Sequence, residues 1–363
     1  MGHLMETKIY RADGAPPNPA AIQAAAEVIR GGGLAAFPTE TVYGLGADAL
    51  RPEAAKKIYE AKGRPSDNPL IVHIAEFSDM EKIARELPEA AKKLSDAFWP
   101  GPLTMVVKKS ALVPYETTGG LETVAVRMPG HPAALALIRE SGRLIAAPSA
   151  NTSGRPSPTL AAHVAEDLGG KIPVILDGGE VGIGIESTIV DLTETPPMIL
   201  RPGFVTEGML EEVIGPVKMD PGTLASDSAI RPKAPGMRYR HYAPYAELTV
   251  VDGDREQVIA KMNALTRKMQ AEGKKVGILA SDETLPRYGG DVRKSLGAGD
   301  DGEEIARRLY RVFREFDASG VDVIYSESVP AAGIGRAVRN RLLKAAGQRV
   351  IDAGETSGGS ECV

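Results

Sequence analysis

The chain has 363 residues, too many for one ordinary hydrophobic core and suited to two domains. Lys and Arg number 43 against 48 Asp and Glu, a net charge of −5 that argues against general coating of nucleic acid while allowing a local basic cleft. Aromatic residues make up 5%, too few for platforms that stack many bases, and the lone Cys362 excludes an internal disulfide framework and a cysteine zinc site. No apolar run approaches the roughly 18 residues of a membrane span and no signal-peptide core opens the chain, so a cytoplasmic location is expected.

In chain order, Asn18-Pro19 followed by AAIQAAAEVIR and Gly31 predicts a complete helix, with Asn18 as cap, Pro19 in the first turn and glycine as the stop. Leu34–Phe37 reads as a short buried strand that breaks at Pro38 into Thr39-Glu40-Thr41-Val42-Tyr43-Gly44-Leu45-Gly46. Such a loop of hydroxyls and glycines lets backbone N–H groups approach a ligand closely. A helix from Pro52 ends at Gly63, with Lys62 and Arg64 at and just past its end, and Asn68-Pro69 precedes the strand Leu70–His73. Two strand ends, a glycine-bearing loop and two cations converge there, which suits a small anionic ligand; alternatively the cations only complement the helix terminus.

Glu76–Leu94 reads as two helices parted at Pro88, then a rigid WPGP turn and the strand Leu103–Val107. In the strand Thr123–Arg127 the end residues lie four apart, so both face away from Val124 and Val126. A helix Pro132–Ser141 and a strand Leu144–Ala147 lead into a second polar loop, Pro148–Gly154. Strands at Val174–Asp177, Glu186–Asp191 and Ile199–Arg201 complete an α/β domain with a mixed sheet. From about Gly215 to Glu247 regular pattern is lost, and APGMRYRHYAP is dense in groups that bind anions and flat rings, which favours a linker that folds over a ligand over a passive connector. Beyond it, strands and helices alternate regularly to Ala346, which predicts a small, mostly parallel α/β domain; a polar, glycine-rich tail follows.

Familiar catalytic patterns are missing: there is no Walker A sequence, no HExxH and no evident Ser-His-Asp set among the five scattered histidines. Gly333-Ile334-Gly335-Arg336 is only a fragment of a dinucleotide fingerprint and reads as a helix start. What remains is a constellation expected at strand ends of the first domain. Lys62 and Arg64 suit phosphates, Arg127 suits a carboxylate, Ser149 and Asn151 offer hydrogen bonds, and Thr41, His73 and Ser187 suit a small polar ligand. Singly, each has a structural alternative: a turn cap for Ser149, an acid partner for Arg127, a satisfied strand histidine for His73.

PTETVYGLG, KGRPSDNPL, WPGPLT, VAVRMP, PSANTSG, ESTIVD and LRPG together resemble the YrdC-like domain of threonylcarbamoyl-AMP synthases, and the APGMRYRHYAP linker with the following α/β domain resembles the long form of that family. Ala234 stands where the family more often has serine. The resemblance implies a YrdC-like twisted mixed sheet with helices over residues 1–216, an ordered linker or lid over 217–246, a smaller Rossmann-like domain over 247–350 and a disordered tail over 351–363. It further implies synthesis of L-threonylcarbamoyladenylate from L-threonine, bicarbonate or CO2, and ATP, with release of pyrophosphate. Mg²⁺ would arrive with ATP rather than on protein side chains, and the product would pass to the machinery that modifies tRNA adenosine. By the same resemblance Thr41, His73, Arg127, Ala147 and Ser187 contact threonine. Arg64, Asn68, Thr123, Ser149, Asn151, Ser157 and Arg201 contact the nucleotide, Tyr242 and Tyr239 close over it, and Lys62 with Arg64 aligns and neutralises the reacting anions. The rival is an RNA-binding or ribosome-assembly module using the basic cleft, which salt-dependent RNA affinity without ATP dependence would reveal.

Overall fold

A computed structural model describes residues 5–223 and 241–355. The chain divides into two compact units, residues 1–239 and 240–363.

The first unit begins with β1 (Lys8–Arg11), α1 (Pro19–Arg30), β2 (Ala35–Phe37), β3 (Gly44–Asp48), α2 (Pro52–Lys62) and β4 (Ile71–His73). The two helices expected around Pro88 are α3 (Phe77–Ile83) and α4 (Glu89–Phe98), followed by β5 (Leu103–Lys108), α5 (Tyr115–Thr118), β6 (Thr123–Arg127), α6 (Pro132–Ser141) and β7 (Ile145–Ala147). Then come α7 (Ala161–Leu168), β8 (Val174–Asp177), β9 (Thr188–Asp191), β10 (Met198–Arg201), α8 (Glu207–Ile214) and β11 (Lys218–Met219). Local chemistry fixes the ends: the Asn18 side chain accepts from the Ala20 and Ala21 amides at the start of α1, and Gly63 takes the left-handed conformation (φ 61°) that stops α2.

The strands form one mixed sheet in the order β1-β8-β2-β3-β7-β4-β6-β5-β9-β10-β11. Ladders β1·β8, β2·β8, β4·β6, β5·β9 and β10·β11 are parallel, whereas β2·β3, β3·β7, β4·β7, β5·β6 and β9·β10 are antiparallel. Period-two alternation sends Val72, Val124, Val126, Met105 and Val190 to the main core, packed with Ile58 of α2, Leu94 of α4 and Leu210 of α8. On the opposite face, α1 and α6 cover Ala35, Phe37, Ile145 and Ala147. Farther along that face only a small apolar cluster is present, Ile71, Val106, Ala125, Ile189 and Leu200. The polar residues of interest lie beside it.

In the second unit β12 (Glu247–Asp252), α9 (Arg255–Ala271), β13 (Val276–Ala280), β14 (Val292–Ser295), α10 (Gly302–Ser319), β15 (Val323–Glu327), α11 (Gly335–Ala345) and β16 (Val350–Asp352) follow in turn. Every ladder of its sheet, β14-β13-β15-β12-β16, is parallel, as the regular alternation predicts. Two boundaries differ from expectation. The first unit's sheet does not end at residue 216, because Lys218 and Met219 pair with Met198 and Ile199. The tail expected from residue 351 begins later, since Val350–Asp352 pairs with Val250–Asp252. Both strands are too short to declare themselves by alternation. Much of the expected linker, residues 224–240, lies outside the described residues, Tyr239 and Ala234 included. Among the described residues no helix is long and apolar enough to cross a membrane.

Gly203, the glycine of LRPG, lies against the mouth of β9: a Cβ there would meet the Thr188 backbone nitrogen at 2.4 Å and Thr188 Oγ1 at 2.7 Å. Since backbone cannot yield as a side-chain tip does, Gly203→Ala is expected to cost about 2 kcal/mol or more. Urea denaturation with an unchanged midpoint would refute this packing.

Candidate active site

Three backbone segments are stitched together above the sheet. The Ala150 amide donates to the Tyr43 carbonyl at 2.8 Å and the Leu45 amide to Pro148 at 2.9 Å, joining the loop after β2 to the loop after β7. The Ile183 and Gly184 amides donate to the carbonyls of Glu40 (2.8 Å) and Thr41 (3.0 Å), bringing in the segment before β9. Thr39 shapes the first loop: its hydroxyl donates to the Val42 carbonyl at 2.6 Å and accepts from the Thr41 and Val42 amides.

Arg127, at the end of β6, is buried beneath this loop. Its Nε donates to the Gly101 carbonyl (3.2 Å), Nη1 to Thr41 Oγ1 (2.9 Å) and Nη2 to Glu40 Oε1 (2.6 Å). The other Glu40 oxygen accepts from the Gly130 amide at 2.9 Å. A guanidinium carries five N–H groups, so among the described residues one on each terminal nitrogen is left, and a carboxylate can match that pair. The structural alternative for Arg127, pairing with an acid, is thus realised without exhausting its donors.

His73 lies directly across from Arg127 in the parallel β4·β6 register. Its ring meets Phe37 edge-on at 5.9 Å, and Nδ1 is 3.1 Å from the Ile71 carbonyl, which requires a proton on Nδ1. Burial, and secondarily the charge of Arg127, hold its pKa down to about 3. The imidazole is therefore neutral at physiological pH. Ala147 pairs with Ile71 on the other side of β4 and offers only a methyl, so the wall there is small and apolar.

A second group forms at the mouth of β9. Ser187 Oγ and Thr104 Oγ1 are 2.8 Å apart, and Arg201 reaches Ser187 through both its carbonyl (Nε, 3.0 Å) and its hydroxyl (Nη2, 3.2 Å). Ser157 donates to Glu186 at 2.6 Å.

In the third group, the buried Lys62 ammonium donates to the Ser149 and Asn151 carbonyls, while the Ser153 amide donates back to the Lys62 carbonyl at 2.9 Å. Lys62 thus grips the second loop rather than merely facing its own helix terminus. Arg64 holds the Asn68 (3.2 Å) and Pro69 (3.0 Å) carbonyls. Asn68 Oδ1 and Asn151 Oδ1 are buried and accept no hydrogen bond among the described residues. The Asn151 amide nitrogen donates to Thr152 (2.8 Å) and Arg155 (3.0 Å), which fixes its orientation. Two orphaned acceptors are costly unless a ligand or water answers them.

The structure therefore joins Thr41 to Arg127, Ser187 to Arg201, and Lys62 to Ser149 and Asn151. His73, Arg127 and Ala147 are the last residues of β4, β6 and β7, and Ser187 immediately precedes β9, so these groups stand at strand ends. Thr123 and Arg127 occupy opposite ends of β6, and with His73, Ala147 and Ser187 they are spread along one face of the sheet. Tyr242 belongs to the second unit, where its ring stacks on Tyr310 at 5.3 Å. Glu40 and Thr104 escaped the sequence reading although both lie in the quoted motifs; an acid inside an anion-binding loop was the available signal.

The buried neutral His73 makes stability depend on pH. An unfolded chain takes up the imidazole proton below its ordinary pKa of about 6.5, while the folded chain does not until pH nears 3. Stability from this group is thus complete above about pH 6.5 and falls with acid by up to about 1.4 kcal/mol per pH unit. Urea denaturation of His73→Gln between about pH 6.5 and 4.5 should show a slope shallower by close to one proton; equal slopes would mean the imidazole ionises in the fold.

Residues 27–203 match the Sua5/YciO/YrdC family described as "Telomere recombination", and residues 205–347 match "Threonylcarbamoyl-AMP synthase, C-terminal domain". A threonylcarbamoyl-AMP synthase of Pyrococcus abyssi is 55% identical over 330 residues, covering 91% of this chain and 95% of that protein. One from Bacillus subtilis is 52% identical over 332 residues, covering 91% and 94%. A crystal structure of P. abyssi Sua5 with L-threonine matches with TM-score 0.91 and 54% identity over 95% of this chain and 99% of that one. A variant of the same protein with a histidine and a tyrosine changed to alanine matches with TM-score 0.90 and 53% identity, over 95% and 98%. The chain belongs to the threonylcarbamoyl-AMP synthase family of enzymes, with a Sua5/YrdC domain followed by a Sua5 C-terminal domain.

Proposed function

We propose that this enzyme condenses L-threonine, bicarbonate or CO2, and ATP to L-threonylcarbamoyladenylate and pyrophosphate, supplying the threonylcarbamoyl group for a tRNA adenosine. The observation that carries this reading is the Arg127 fork, held by Glu40, Thr41 and Gly101 beside a neutral His73. That is a seat for an amino-acid carboxylate, and the relative's complex with L-threonine supports it. Ser187 and Thr41 supply hydroxyls for threonine's polar groups, and Ala147 leaves room for its methyl.

Once a carbamate has formed on the threonine nitrogen, its oxygen attacks the α-phosphorus as pyrophosphate departs in line. Both reactants are anions, so catalysis consists of neutralising and aligning them. Lys62, Arg64 and Arg201 serve the nucleotide, together with Ser149, Ser157, Thr123 and the open acceptors of Asn68 and Asn151. Mg²⁺ enters as part of the nucleotide substrate. The proposal extends to the linker, of which His241 and Tyr242 are described. His241-Tyr242 is the chain's single His-Tyr pair, and a histidine and a tyrosine are the residues changed in the P. abyssi variant.

Purified protein with ATP and Mg²⁺ should release pyrophosphate only when both L-threonine and bicarbonate are present, with an adenylate of matching mass. Release indifferent to threonine would overturn the substrate assignment. Arg127→Lys keeps the charge but loses the fork, so KM for threonine should rise roughly ten- to a hundredfold with KM for ATP nearly unchanged. Equal changes in both would place Arg127 in general folding instead.

A further inference from the structure

The second unit contains a cavity of about 600 Å³ beyond the carboxyl ends of β12, β13 and β15. In an open parallel sheet, ligands bind outside those ends where successive connections leave in opposite directions. Here β13 leads outward to β14 while β15, its neighbour, leads the other way to β16. The cavity lies at that division, between Ser281 after β13 and Glu327 at the end of β15.

Its lining is amphoteric. Val251, Val258 and Val329 give an apolar surface, and four carboxylates, Asp252, Glu283, Asp300 and Glu327, stand against two guanidiniums, Arg255 and Arg339. Several of these charges are already engaged. Asp252 pairs with Arg339 at 2.6 Å, and Glu327 accepts from the Tyr288 hydroxyl (2.5 Å) and the Ser281 amide (3.0 Å). Glu283 accepts from the Gly299 amide at 3.2 Å. The side chains of Arg255 and Asp300 are exposed and make no hydrogen bond or ion pair among the described residues. Arg255 acts on Glu283 through charge alone, so its N–H groups and the Asp300 carboxylate carry no hydrogen bond around one space among the described residues.

The same composition narrows the ligand. No aromatic ring lines the cavity to stack a base, and the excess of carboxylates disfavours a phosphate dianion. Among the described residues no cluster is suited to a metal ion. A pure cation would be repelled by Arg255 and would use none of its N–H groups. We infer that this cavity binds a free α-amino acid with an aliphatic side chain, its carboxylate on Arg255, its ammonium on Asp300 and Glu283, and its side chain on Val251, Val258 and Val329. The site is separate from the threonine seat proposed above and does not rest on it.

Calorimetric titration of the full-length protein with alanine, valine, leucine and isoleucine tests the inference, using nucleoside monophosphates and spermidine as comparators. An Arg127→Ala background removes the seat in the first unit. At least one aliphatic amino acid should bind in that background, and Arg255→Ala or Asp300→Asn, both at exposed positions, should weaken it at least about tenfold. No heat at ligand concentrations up to about 10 mM would overturn the site. So would affinity indifferent to Arg255 and Asp300, or binding lost with Arg127 alone. Binding of a nucleotide or spermidine that Arg255→Ala or Asp300→Asn abolishes, in place of amino acids, would overturn the ligand class.

Discussion

A guanidinium buried in a sheet face must be answered by protein groups in the free enzyme and still have donors to offer a ligand. Arg127 meets both conditions because its partners differ in kind. Glu40 cancels the charge, while Thr41 and the Gly101 carbonyl fix direction. Each partner is in turn held: Glu40 by the Gly130 amide, Thr41 by its hydrogen bond with Thr39, and the Gly101 segment by its own amide, which donates to the Met128 carbonyl at 2.8 Å. His73 has to remain neutral beside this cation, and its burial ensures that. The first loop, the WPGP turn and two central strands are thus committed to the orientation of one side chain.

Lys62 plays the complementary part for the second loop. A buried ammonium that donates to two carbonyls of one loop organises its backbone from within. With both loops fixed in this way, the polar groups they carry are oriented before a ligand arrives.

Local chemistry was legible in the sequence wherever one short segment decides the outcome. Asn18-Pro19 and Gly63 mark helix ends, Pro88 parts two helices, and the alternation of Thr123–Arg127 correctly turns Arg127 away from the core. The composition of the polar loops identified most of the residues that come together. What stayed hidden was non-local. Nothing in Val174–Asp177 announces that it lies between β1 and β2, and a two-residue strand such as Lys218-Met219 has no period to read. The same limit applies to the site: how far its strand-end residues lie from one another depends on which strands are neighbours. Glu40 was overlooked because an acid contradicts a simple tally of anion-binding groups, whereas its task is to steady the cation.

Strand order also constrains how the chain can reach this structure. β1, made well before β8, is held at one edge of its sheet by that strand, so Lys8 waits for Val174 to leave the ribosome before its ladder can close. β2 has its antiparallel neighbour β3 at once but gains β8 only then. Such long-range pairings are slow to form and leave strand edges open meanwhile. The second unit is self-contained, its five strands all falling after residue 240, so its parallel sheet can assemble as a later, separate event.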